Sequence, residues 1–146
     1  MNGSGKTPTV ETYRFADDGV VTNNPVLPLV VYRRALAEGG DRAAACERLF
    51  AQNGWPDAWR NGIYPHHHYH STAHEVLGIA AGNARVRLGG ENGQTVELHA
   101  GDVVATPAGI TTTSPARNST VCPFSPPSLT RAFPAAMPST SCAVLW

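Results

Sequence analysis

Between Gly62 and Gly109, β-branched and aliphatic residues come in short runs, each closed off by glycine within a few positions. The runs are Glu75 to Ala80, Ala84 to Leu88, Thr95 to Leu98 and Val103 to Ala105. Gly82-Asn83, Gly89-Gly90, Asn92-Gly93 and Ala100-Gly101-Asp102 separate them. Glycine reaches positive φ without steric penalty, so each gap can reverse the chain, and Gly82-Asn83 reads as a tight turn joining two strands. Short strands at close, regular spacing with glycine turns predict a β-sandwich or β-barrel.

Upstream, Val10 to Phe15 reads as a first strand, followed by turn chemistry at Asp17-Asp18-Gly19. Pro25 and Pro28 confine their stretch to a sheet edge or a strand entrance, and Leu29 to Tyr32 is a strand core. One helix is expected. Asp41 can cap it, Ala43 to Ala45 favour it, and Cys46, Leu49 and Phe50 lay one apolar stripe against a sheet. Gly54 ends it as a left-handed cap, and its place on the apolar stripe makes Cys46 a packing residue rather than a reactive thiol. Trp55 and Trp59 flank the next turn and are expected to cover one end of the core.

The chemistry is concentrated in Gly62 to Gly82, GIYPHHHYHSTAHEVLGIAAG, which holds five of the six histidines. His68 and His70 stand one residue apart, so on a strand both imidazoles leave the same face. Glu75 then returns from beyond a short turn. Two imidazoles and one carboxylate on an inward face suit iron, manganese, nickel or zinc. His66 shares their parity and reads as a solvated residue at the pocket mouth, with a supporting or spare-ligand role as the alternative. His67 and Tyr69 point the other way, and His74 reads as packing. Arg85 and Arg87 can line a pocket for an anion, although a solvated strand face is the simpler reading.

With 146 residues the chain suits one domain. Eleven basic residues balance eleven acidic ones, which gives no footprint for nucleic acid or an anionic membrane surface. No stretch approaches the ~18 consecutive apolar residues of a membrane span. Gly5-Lys6-Thr7 echoes the end of a phosphate loop but lacks the preceding glycine and strand. The N-terminus shows no signal peptide, and three scattered cysteines, Cys46, Cys122 and Cys142, fit a reducing cytoplasm.

Gly62, His68, His70, Glu75 and Gly82, separated by five, one, four and six residues, resemble the first motif of the cupin superfamily. Gly101, Pro107 and Gly109 resemble the start of its second motif. FAQNGWPDAWRNGIY, HHYHSTAHEVLG and GDVVATPAG look like the YjlB-like cupins in particular, over residues 10–109. The resemblance implies a small jelly-roll β-barrel with His68, His70 and Glu75 as ligands of a divalent metal ion inside it. In the family pattern a histidine follows Gly109 as a fourth ligand; here that position is Thr112, and the later asparagine position is Ala116.

The residues after Gly109 change character. Among the 37 residues from Ile110 to Trp146 are six Thr, six Ser, six Pro and five Ala, and no Asp, Glu, Lys or Gly. Prolines from Pro115 to Pro138 interrupt every candidate strand. The expected layout is therefore an unstructured N-terminus (1–9), a cupin domain (10–109) and a tail (110–146) that is disordered or foreign to the fold. The expected fold is all-β with one helix, a single jelly-roll barrel incomplete at its C-terminal end. Three functions stay open: a metal-dependent enzyme on a small molecule, a non-catalytic cupin that binds a metabolite or serves as a structural module, and a truncated, non-functional variant. A homodimer is compatible with the resemblance and has no sequence signal of its own.

Overall fold

The computed structural model describes residues 8–17, 19–63 and 66–113, together with the backbone of 140–145. In chain order the elements are β1 (Thr9–Tyr13), β2 (Leu29–Arg33), α1 (Arg42–Gln52), β3 (Trp59–Asn61), β4 (His74–Ile79), β5 (Asn83–Leu88), β6 (Gln94–His99), β7 (Val103–Thr106), β8 (Thr112–Thr113) and β9 (Thr140–Leu145). They form a six-stranded sheet ordered β1-β2-β7-β4-β9-β3 and a three-stranded sheet ordered β6-β5-β8. Pairing is antiparallel except where β9 runs parallel to β4 and β3. The protein is thus mostly β with one helix, arranged as two sheets. Among the described residues neither sheet closes into a barrel.

Strand alternation sorts the side chains into two cores. Along β4, Leu77 and Ile79 join Val31, Val86, Leu88, Val96, Leu98, Val104 and Ile110 between the sheets. Val76 and Ala80 face the other way and meet Leu36, Ala43, Cys46, Phe50 and Val103 under the helix. Period two makes this sorting automatic, and it puts Glu75, in phase with Leu77 and Ile79, on the inner face.

Helix α1 forms as its residues dictate. The Asp41 carboxylate accepts from the Ala44 N–H at 3.0 Å, closing the N-terminus. At the other end Gly54 has φ +80°, and the N–H groups of Gly54 and Trp55 donate to Ala51 and Phe50 carbonyls, the pair of bonds of a Schellman motif. Cys46 is fully buried on the stripe facing β4. Gly78 is the reason the helix can lie so close, because a Cβ there would run into Cys46 Sγ.

Asp102 locks the turn ahead of β7. Its two oxygens accept from Arg33 Nη1 at 2.9 Å, the His99 N–H at 3.0 Å and the Arg34 N–H at 3.0 Å. The last bond holds Arg34 at φ +54°, a conformation that non-glycine residues seldom adopt.

Four sequence expectations are corrected. Gly82-Asn83 does not make a hairpin: β4 and β5 belong to different sheets, and the turn carries the chain from one layer to the other. Trp59 does not cap the core; it lies on the edge strand β3 and is 45% exposed, whereas Trp55 packs against the helix core. β1 begins at Thr9, inside the stretch expected to be unstructured. The segment after Gly109 does supply strands, β8 and β9. Its prolines, and the tail reading built on them, lie in residues 114–139, outside the described residues.

Candidate metal centre

His68, His70 and Glu75 converge. Each offers a donor atom, and these atoms all lie within 4.8 Å of one another. Glu75 comes from the large sheet, on β4, with its side chain only 8% exposed; His70 is 40% exposed. The buried acid forms the floor and the imidazole faces the solvent side, which leaves an ion a way in.

His68 and His70 are not on a regular strand, contrary to the simplest expectation. The segment is instead pinned as an extended run against residues 109–112. His68 and Thr112 exchange backbone bonds, His68 N–H to Thr112 O at 3.0 Å and Thr112 N–H to His68 O at 2.8 Å. The Gly109 N–H donates to His70 O at 2.8 Å. These three bonds preserve the alternation that aims both rings inward.

Local contacts orient the rings. His68 Nδ1 lies 3.4 Å from the His66 carbonyl, and His68 Nε2 lies 3.3 Å from the Thr112 hydroxyl. When Nδ1 carries the proton toward that carbonyl, Nε2 keeps its lone pair, the arrangement usual for a metal-ligating histidine. The His68 and His70 rings are 6.0 Å apart between centroids and nearly perpendicular. The Glu75 carboxylate, 3.5 Å from His70 Nε2, raises the His70 pKa above the ordinary histidine value, against burial, which lowers it.

The donor set fits a first-row divalent ion. Two donors bound about 2.1 Å from one ion stand about 3.0–4.2 Å apart, depending on the angle between them. The 3.5 Å His70–Glu75 separation already lies in that window. A further sign of a polar occupant is Thr106, opposite Glu75 in the β4–β7 register and 4% exposed, whose Oγ1 has no hydrogen-bond partner among the described residues.

The other candidates fall elsewhere. His66 is exposed, its ring centroid 6.1 Å from that of His68. His67 pairs with Glu91 at 3.1 Å on the surface, and Tyr69 is 48% exposed. His74 Nδ1 accepts from the Ala108 N–H at 3.0 Å, bracing the Pro107–Gly109 turn that in turn holds His70. Arg85 and Arg87 alternate with the inward Val86 and Leu88, so they lie on the outer face, where Arg87 is bonded to the Gly90 and Glu91 carbonyls. A cleft of about 680 Å³ opens at another place, between β1 and β6. Arg33 there is held between Glu11 and Asp102, and the cleft contains none of the three clustered donors.

Sequence reasoning missed Thr106. The signal was present in GDVVATP: with Val104 inward, period two brings position 106 inward as well.

A two-layer β-fold carrying a His–His–Glu cluster is therefore what the chain presents. It is similar to the uncharacterised protein YjlB of Bacillus subtilis (strain 168), at 42% identity over 100 residues, covering 68% of this chain. The chain spans 58% of the length of that relative. No family model matches the chain. No solved structure matches it.

Proposed function

We propose that the protein is a cupin-type metalloprotein that binds one divalent ion through His68, His70 and Glu75 and acts on a small molecule. The observation that carries this reading is the convergence of those three donors within 4.8 Å. Motif spacing and the similarity to YjlB add to it, although the relative brings no function of its own. The cupin domain runs over residues 10–109 in this reading, with β8 and β9 completing the sheets around the site.

A bound ion would supply Lewis acidity, or oxygen activation if it is iron. Three protein donors on one side leave the remaining positions open to an exogenous ligand. The residues themselves divide the remaining work. Glu75 provides a fixed negative charge on a buried floor, His68 is oriented by its contacts to His66 and Thr112, and His70 stands at the entrance.

A second reading is a non-catalytic cupin that binds a metabolite. Thr112 favours it, since this residue occupies the position of the family's fourth ligand and its hydroxyl lies against His68 Nε2. Metal analysis separates the two. Purified wild-type protein dialysed with manganese, iron, nickel or zinc is expected to retain close to one ion per chain. His68→Ala and Glu75→Gln are each expected to lose most of it. Equal retention in His68→Ala contradicts the metal site, and no uptake by wild type favours the second reading.

A further inference from the structure

The Thr106 hydroxyl is left over by everything described so far. It is 4% exposed, and its Oγ1 has no hydrogen-bond partner among the described residues, whereas the hydroxyls of Thr111 and Thr112 each have a contact. Thr111 Oγ1 donates to Thr22 O at 2.8 Å, and Thr112 Oγ1 contacts His68 Nε2 at 3.3 Å. A buried hydroxyl without a partner is rare and points to one supplied from outside the chain.

Position tells which partner. Thr106 and Glu75 are Cα partners across β7 and β4. Residues directly opposite share a face, with Cβ atoms about 4.5–5.5 Å apart. Both are in phase with Val104 and Leu77, which belong to the core between the sheets. The hydroxyl therefore stands beside the carboxylate on the inner face, where an exogenous ligand of the ion would lie.

Charge tells the class. A divalent ion and one carboxylate leave one net positive charge. Arg85 and Arg87 are on the outer face, and Arg33 is engaged by Glu11 and Asp102 away from the cluster. Among the described residues the inner face adds no cation that would balance a dianion.

Resting on the metal-site reading above, we infer that the site takes a small monoanion, a monocarboxylate being the simplest, and that Thr106 binds it by donating a hydrogen bond. Thr106 acts as a specificity-determining residue and contributes nothing to holding the ion.

The test uses the full chain loaded with cobalt(II), whose visible absorption reports a change of ligand, with azide as the monoanion and sulfate as the dianion. Azide is expected to shift the spectrum saturably, and sulfate at the same concentrations to leave it unchanged. Thr106→Val is expected to weaken azide binding roughly ten- to a hundredfold, the typical effect of losing one hydrogen bond to a charged group. Its cobalt content should match wild type, and Thr106→Ser should restore azide affinity. If the valine variant loses its cooperative melt, Thr106→Ala, which needs no room for a second methyl, carries the same expectation. Azide affinity equal to wild type in the folded variant, or a preference for sulfate, overturns the inference. Failure of wild type to take up cobalt is a separate result: it removes the metal site itself, and this inference with it.

Discussion

At the scale of single residues, the cluster is defined by where one carboxylate sits. Glu75, on β4, is buried, and His70 lies within reach at 3.5 Å. In the metal-free protein this contact raises the His70 pKa, so the protonated ring stabilises the fold at pH below the ordinary histidine value. That contribution is lost as pH rises through the raised value. Glu75→Gln is expected to return His70 toward its ordinary titration, which NMR of the ring protons will show; an unchanged midpoint contradicts the pairing. Metal uptake runs the opposite way with pH, because the ion and the proton compete for the same nitrogen. The three donors were legible in the sequence because they fall within one short stretch, although the bonds of His68 and His70 to residues 109–112 are what aim the two rings. Thr106 was harder, since what brings it to the site is pairing across strands far apart in the chain.

At the scale of elements, the close approach of α1 to β4 rests on a missing side chain. Gly78 lies under Cys46 and Phe50, with no room for a methyl group. Gly78→Ala is expected to cost about 1–3 kcal/mol, the usual penalty for overpacking a filled core. Denaturant melts will measure it, and adding Cys46→Ala should recover part of the loss by removing the opposing sulfur. A neutral Gly78→Ala contradicts the packing. The helix itself was readable because capping and periodicity are local, from Asp41 through the Cys46–Phe50 stripe to Gly54. Strand β3 was not, because its partner is β9, and a three-residue edge strand has no pattern of its own. The same limit hid the sheet change at Gly82-Asn83: a tight turn looks alike whether it joins neighbours or crosses between layers.

At the scale of the whole molecule, the site ties two layers together. Glu75 belongs to the large sheet, while His68 is bridged to β8, the edge of the small one. An ion held by both is a crosslink between layers, so binding should raise the stability of the folded protein as a unit. At a free concentration one hundred times the dissociation constant, the gain is about 2.7 kcal/mol. For a chain of this size that corresponds to a rise of roughly 5–10 °C in Tm, which differential scanning calorimetry will detect. No shift with any of manganese, iron, nickel or zinc contradicts the crosslink. The central claim, that these three side chains hold one ion, is tested most directly by anomalous diffraction from crystals grown with zinc, recorded on both sides of the absorption edge. An anomalous peak is expected about 2.0–2.2 Å from a nitrogen of His68, a nitrogen of His70 and an oxygen of Glu75. A peak elsewhere with these residues unliganded, or no peak at all, would contradict it.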